Sequence, residues 1–170
     1  MFYLKMIYKK VELDKVEVSV EYRLSMFCVY MLVCIFRDNY PYALILCERL
    51  ARIDMGEKND YREYICWYFR SMANMYGGNE DDAIRSADLC LKKARKLNDS
   101  YVIFMAKIIR NMSQLSGWKE IWICDKKIDI DDGLIDEAYE QGYLNHLAHI
   151  FVYCFDNDPE LFDRIDSLID

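Results

Sequence analysis

Three observations predict an all-α fold, a right-handed solenoid of helix hairpins with about four repeats of ~40 residues. Apolar residues recur every three or four positions along most of the 170-residue chain, which is the period of an amphipathic helix. Glycine (6) and proline (2) are scarce, which argues against a fold rich in tight turns. Turn-forming pairs recur at the period of the repeat, at Arg37-Asp38, Gly77-Gly78, Gly117-Trp118 and Asn157-Asp158.

The chain is long enough to build one core, and we assign residues 1–170 to a single domain. Residues 1–19 form an N-terminal segment, and the repeats span 20–57, 58–98, 99–142 and 143–170. Around the first boundary, Lys15–Tyr22 alternates like a strand, although its apolar residues also fit a helical stripe. We interpret this stretch as helix because no breaker separates it from the helical pattern that follows.

The second repeat contains the clearest helical signals. Ala83, Ala87 and Ala94 recur on one face of a helix that Asn79 can cap and that ends at Asn98. Between these alanines lie acid-before-base pairs at the i,i+4 spacing that stabilises helices. The pairs are Asp81 with Arg85 and Asp88 with Lys92.

The third repeat starts regularly and then departs from the pattern. A helix is predicted over Ser100–Ser116, and Gly117 can supply its left-handed terminus. The second helix is interrupted by Asp125–Gly133, and a further helix is predicted at Leu134–Gln141. In the fourth repeat, Asp158-Pro159 places a capping residue before a proline at the first helical position.

Over about residues 20–170 the pattern resembles the tetratricopeptide-repeat family, in the longer form found in bacterial multidomain transcriptional regulators and peptide-pheromone receptors. Trp67, Ser71, Ala83 and Ala87 stand where the family has a large aromatic, a small residue and two small packing residues. The chain departs from the family in its longer period, in lacking a proline near the repeat end, and in Lys107 at the aromatic position. The resemblance implies a non-enzymatic domain of a bacterial transcriptional or signalling regulator that binds a peptide or protein segment, or acts as a sensor.

Composition excludes several classes of function. The net charge is −7, and residues 125–170 contain three basic and thirteen acidic residues, which argues against direct nucleic-acid binding. The longest uncharged run, Leu24–Phe36, is shorter than the ~20 residues that span a bilayer. Seven cysteines without a C-x-x-C pair indicate reduced, buried thiols. We therefore expect a cytoplasmic protein that does not contact membranes.

The stretch Met72–Ile84, "MANMYGGNEDDAI", is the most loop-like motif and is predicted to be only a turn. It lacks the lysine and hydroxyl of a phosphate loop, and its acids would repel phosphate. A calcium loop fails at Asp129, since Gly133 then falls at position 5 where an EF-hand needs it at position 6. The acids after Gly78 suit the first turn of a helix, and no cofactor is expected.

A remote alternative is a metal- or thiol-dependent enzyme built on His146, His149 and Cys154. The two histidines are spaced i,i+3, so they can share one helix face, with the thiol about one turn beyond. Zinc normally has three or four protein ligands, however, and two histidines without a partner motif more often pack within a core. We therefore expect no metal site and no catalytic residues.

One surface remains as the candidate site. The first helix of the third repeat has a polar stripe spaced i, i+3, i+4 and i+7, and the 40-residue register places equivalent residues on the other repeats. We expect this stripe to line a concave groove in which Arg70 and Arg110, without partners on their own helices, bind a carboxylate. Asn74 and Gln114 would bond to an extended peptide. The predicted lining is Tyr30, Trp67, Arg70, Asn74, Lys107, Arg110, Asn111 and Gln114.

Two alternatives to this groove remain open. The stripe can be simply the solvated side of each helix, since polar stripes are normal on helices. The chain can also be a homo-oligomerisation scaffold, because apolar stretches lie at both ends, in Met1–Tyr8 and in Leu161–Ile169. In that case the apolar ends would be the interfaces and the polar stripe would have no partner.

Overall fold

The computed structural model describes residues 18–114 and 132–143, and within these ranges it contains helices and turns but no strand. The all-α prediction is confirmed for this part of the chain. Within the same ranges, a 3₁₀ turn, Gly56–Lys58, directly precedes the third of the α-helices. The α-helices are α1 (Val20–Ile35), α2 (Tyr40–Ala51), α3 (Asn59–Gly77), α4 (Glu80–Leu97), α5 (Ser100–Gln114) and α6 (Asp132–Glu140).

The start of α1 corrects the sequence interpretation of Lys15–Tyr22 as continuous helix. Ser19 is extended, with φ −62° and ψ 156°, and its hydroxyl accepts a hydrogen bond from the backbone N–H of Tyr22 at 3.2 Å. A serine in this conformation caps a helix by satisfying one of the N–H groups that its first turn leaves unpaired. The helix therefore begins at Val20, where the first repeat was predicted to begin.

Two turns in successive repeats have the same hydrogen-bonded geometry. In the α1–α2 turn, the N–H of Asn39 donates to the carbonyl of Cys34 at 2.9 Å, around Asp38 at φ 55°. In the α3–α4 turn, the N–H of Asn79 donates to the carbonyl of Asn74 at 2.8 Å, around Gly78 at φ 80°. Both end a helix through a residue in the left-handed region. The first two predicted turn positions are confirmed, and the others lie outside the described residues.

The predicted boundaries of α4 are confirmed, but some of its side-chain contacts differ from the prediction. Asn98 ends the helix at φ 52°, whereas the side chain of Asn79 makes no capping bond. Arg85 pairs with Asp82 at the i,i+3 spacing, at 3.5 Å. Asp88 pairs with a residue of α5, described below.

Helix α3 occupies the centre of the described part. It contacts the helices before and after it in sequence, α2 and α4, and also α1 and α5. Consecutive helices pack from α1 to α5, and α6 contacts α5. The buried side chains of α1 to α5 form one hydrophobic cluster, and Leu134 and Ala138 of α6 are also buried.

Two sets of core positions recur at the 40-residue spacing. Leu24, Tyr64 and Phe104 occupy equivalent positions on α1, α3 and α5, and all three are buried. Ala43 and Ala83 are equivalent on α2 and α4, and both are at most 1% exposed. Other positions at this spacing differ, since Asn74 is buried and Gln114 is exposed. The predicted division into four repeats remains a prediction, since much of the third and the fourth lies outside the described residues.

None of the helices within the described ranges is both long and apolar enough to cross a membrane.

The α3–α4 turn offers a matched test of this local geometry. Gly78→Ala should destabilise the fold by about 1 kcal/mol, because a Cβ is strained at its positive φ. Gly77→Ala should be neutral or slightly stabilising, since Gly77 is helical and an added Cβ would meet its neighbours at 3.6–3.7 Å. Asp38→Gly should stabilise the equivalent turn.

Urea unfolding followed by circular dichroism gives the free energy of unfolding of all three variants. If alanine at position 77 lowered the free energy of unfolding as much as alanine at position 78, the assignment of Gly78 as the left-handed residue would be contradicted.

Candidate functional site

The predicted groove residues on α1 and α3 are buried or half-buried, whereas Arg110 and Gln114 on α5 are exposed. Tyr30, Ser71 and Asn74 are at most 5% exposed. The hydroxyl of Ser71 donates to the carbonyl of Ala83 at 2.9 Å, which ties α3 to α4. The ring of Tyr30 packs edge-on against Tyr42 of α2, with centroids 5.8 Å apart. These side chains face the neighbouring helices, so they hold the fold together.

Arg70 and Arg110 are not spare donors, contrary to the sequence expectation. Arg70 pairs with Glu48 of α2 at 3.5 Å, and its guanidinium lies 5.2 Å from the ring centroid of Trp67. Arg110 pairs with Asp88 of α4 at 2.6 Å. Each arginine is therefore neutralised by an acid on the preceding helix. The second pair follows the first by 40 residues, so one interhelical contact recurs at the α2–α3 and α4–α5 junctions.

The remaining stripe residues of α5 are mixed in character. Lys107 forms an ion pair with Glu137 of α6. Asn111 is half-buried and Gln114 is exposed. The stripe of the fourth repeat and the residues of the remote enzyme alternative lie outside the described residues: His146, Leu147, His149, Ile150, Phe151 and Cys154.

A different face of the same helices is open. Ile65, Tyr68 and Met72 precede the stripe residues of α3 by two positions, which is a rotation of about 200° in an α-helix. They therefore lie on the side of α3 opposite the stripe that contains Arg70. We call this side, with its equivalents on α1 and α5, the groove face. Its members are Glu21, Ser25, Cys28 and Leu32 on α1, Tyr61, Ile65, Tyr68 and Met72 on α3, and Tyr101, Met105, Ile108 and Met112 on α5.

The groove face is apolar and partly exposed. Tyr61 and Tyr101 are equivalent residues with 37% and 45% of their surface exposed. Tyr68, Met72 and the α5 members Met105, Ile108 and Met112 are half-buried, so each keeps part of its side chain open to solvent. Flexible methionines adapt to partners of different shape, which suits a binding surface.

A cavity of about 310 Å³ lies between α1 and α3 on the groove face. Its walls are mostly apolar, and Val29, which borders it, is 44% exposed. Exposed Glu21 of α1 and Lys58, directly before α3, are both among its lining residues. The lining residues are Glu21, Leu24, Ser25, Cys28, Val29, Lys58, Tyr61 and Ile65.

The Cys28 thiol and the Tyr61 phenol of this face have raised pKa values. Burial raises the pKa of the Cys28 thiol to about 11, against an ordinary value of 9.0. The pKa of Tyr61 is also raised, first by burial and then by the nearby Cys28, Asp99 and Tyr101. Because a thiol must ionise to act as a nucleophile, this raised pKa makes Cys28 a poor nucleophile at neutral pH.

The buried thiols have the same character. Burial raises the pKa of Cys66 and of Cys90 to about 12, and raises that of Cys34 and Cys47. All five cysteines in the described ranges are free, as the sequence predicts. Among the residues placed by the structure, no group of three or more His, Cys, Asp or Glu side chains could hold a metal ion.

Comparison of the chain with models of known protein families, with characterised proteins and with solved structures gives no match. The tetratricopeptide-repeat resemblance therefore stays a prediction. The predicted stripe lies on α1, α3 and α5, and the structure shows that its two arginines are paired with acids of neighbouring helices. A signal was present: Glu48 and Asp88 share the 40-residue spacing of Arg70 and Arg110, which indicates paired side chains.

The two interhelical ion pairs should contribute equally to stability. In double-mutant cycles with glutamine, Glu48 and Arg70 should show a coupling energy of about 0.2–1 kcal/mol, as should Asp88 and Arg110, because all four side chains are partly exposed. The coupling should fall at high salt. Chemical denaturation gives both values.

A crossed cycle is the control for these ion pairs. Glu48→Gln combined with Arg110→Gln should be additive, since the two residues are not partners. Coupling in the crossed cycle that equals the coupling in the true pairs would contradict the assignment.

Proposed function

We propose that this chain is a non-catalytic interaction domain that binds a peptide or protein segment on its groove face. The observation that carries the proposal is the apolar, partly exposed surface shared by α1, α3 and α5, with a cavity between α1 and α3. Ordinary protein surfaces expose apolar side chains singly, whereas contiguous apolar patches mark binding sites. The raised pKa values of Cys28 and Tyr61 favour binding over catalysis.

The repeated geometry supports a helix-hairpin solenoid as the architecture behind this surface. Equivalent turns, buried alanines and ion pairs all recur in the 40-residue register. In such stacks each repeat contributes one helix to an extended binding surface. The tetratricopeptide-repeat resemblance implies that the domain is one arm of a bacterial transcriptional or signalling regulator in the cytoplasm.

The groove face replaces the polar stripe as the proposed site. A ligand at Arg70 would have to displace Glu48, and one at Arg110 would have to displace Asp88. Charge reversal of both arginines would disturb the fold contacts as well as any binding, so it is a poor test of function. Tyr61 and Tyr101 are exposed but have ring contacts with Tyr64 and Tyr143, so circular dichroism of their variants is needed to show that the fold is kept.

Selection of a phage-displayed random peptide library on the full chain tests the proposal. Fluorescence polarisation of the enriched peptides should show about tenfold weaker binding to Tyr61→Asp and to Tyr101→Asp, because each places a charge in an apolar contact. Tyr139→Asp is the matched control, since Tyr139 is a 48% exposed tyrosine on α6, which is not one of the three groove-face helices. It should bind within about twofold of the unmodified chain.

Two results would overturn the proposal. One is the absence of any peptide that is enriched over selection on an unrelated helical protein. The other is enriched peptides whose affinity is the same for both groove-face variants and the Tyr139 control. Sedimentation of the unmodified chain, run in parallel, reports on homo-oligomerisation as the competing function.

A further inference from the structure

We propose that the cavity between α1 and α3 receives one large apolar side chain of an amphipathic partner helix, which carries a basic and an acidic residue beside it. This inference rests on the proposed function, and it names the kind of partner and the part of the groove face that holds its anchor. Three features of the cavity carry it: its size, the helical character of its walls and the two charges on its rim.

The cavity fits a side chain better than a whole ligand. Its volume of about 310 Å³ stands at the lower limit of the ~300–1,000 Å³ that is typical of small-molecule sites. Leu24 and Ile65 provide an apolar floor, and the partly exposed Val29 and Tyr61 border the opening. A single aromatic or branched side chain entering here would cover apolar surface on both helices. Such a buried anchor supplies most of the affinity of an interface.

The walls select a helical partner over an extended one. They are formed mainly by side chains of α1 and α3, whose central backbone groups are already bonded within the helices. An extended peptide would leave its own N–H and C=O groups without partners in an apolar groove. A helix satisfies these groups internally and presents anchors at i, i+3 and i+4. Asn74, which the sequence suggested as a bond to an extended backbone, is buried on the other side of α3.

Two charged residues on the rim of the cavity determine which charges the partner needs beside its anchor. Glu21 belongs to the first turn of α1, and Lys58 lies directly before α3. Throughout the described ranges, neither side chain takes part in an ion pair or hydrogen bond. By contrast, the nearby charges Arg62, Glu63 and Lys93 are joined in ion pairs. A partner with a basic residue towards Glu21 and an acidic residue towards Lys58 is therefore complementary.

Charge complementarity at a rim sets orientation and selectivity more than affinity. Glu21 and Lys58 both line the cavity, so a partner whose basic and acidic residues were exchanged would bring like charges together at both. The apolar anchor alone does not distinguish these two arrangements. The pair of charges therefore selects the arrangement of base and acid on the partner.

The experiment uses a display library of helical peptides with a randomised apolar face and randomised flanking charges, selected on the full chain. Peptides enriched by the unmodified chain should contain an aromatic or branched anchor flanked by one base and one acid. Ser25→Trp fills the cavity from an exposed position and should weaken their binding by about tenfold or more. Ala51→Trp, at an exposed alanine of α2 outside the cavity, should change it by less than about twofold.

Charge reversal tests the rim separately. Lys58→Glu should weaken the enriched peptides by about fivefold at low salt, and a peptide whose acid is replaced by lysine should recover binding. Glu21→Lys should do the same for the basic residue of the peptide. Both variants are exposed surface changes, so they remain informative even where Ser25→Trp fails to fold.

The results distinguish a failure of this inference from a failure of the proposed function. Suppose that the enriched peptides bind Tyr101→Asp more weakly but bind Ser25→Trp and both charge-reversal variants as tightly as the unmodified chain. This result would overturn the inference about the cavity, and the proposed function would stand. An absence of any enriched peptide would overturn both. A dimer in sedimentation that Ser25→Trp converts to monomer would show that a second copy occupies the cavity, which also overturns the inference.

Discussion

The packing of α3 against α2 and α4 determines which surface of this protein is open. Ser71 bonds to the carbonyl of Ala83 on α4, and Arg70 pairs with Glu48 on α2. These contacts use the side of α3 that carries its polar residues. The opposite side, with Tyr61 and its neighbours, is left to face outward. The apolar side of α3 is partly exposed because its polar side packs against the neighbouring helices.

Two features of this arrangement, a turn and an ion pair, recur 40 residues further along the chain. The turn at Asp38 recurs at Gly78, and the ion pair of Arg70 recurs at Arg110. The partly exposed ion pairs contribute little energy, since pairs of this kind give about 0.2–1 kcal/mol. Burial of the equivalent apolar positions supplies most of the stabilisation, because removal of apolar area from water is the dominant favourable term in folding. The ion pairs act mainly on how neighbouring helices are aligned.

Sequence reasoning predicted the helices and the turns well because both depend on local signals. The i,i+3,i+4 pattern, the glycine at the α3–α4 turn and the asparagine after α4 each act within a few residues. The start of α1 was missed although its signal is local, because the apolar residues around Ser19 fit a helical stripe on both sides of it. The αL turn at Asp38 also had a readable cause, since aspartate tolerates positive φ better than most residues.

The orientation of the repeat faces could not be predicted in the same way. The 40-residue register identifies which side chains are equivalent, but it is unchanged when all helices rotate together about their axes. Whether the stripe with Arg70 or the one with Tyr68 faces outward depends on contacts between helices that are distant in sequence. Ser71 illustrates the difficulty, because a polar residue on a helix suggests solvent, whereas its hydroxyl is satisfied within the core.

Site-specific photocrosslinking tests the central claim about these two faces most directly. A benzophenone amino acid at position 61 or 105 lies on the groove face, and one at position 67 lies on the side that packs against the other helices. With a peptide selected on the full chain, the account predicts crosslinks from positions 61 and 105 and none from position 67. Crosslinking from position 67 alone would contradict the account and return the site to the polar stripe.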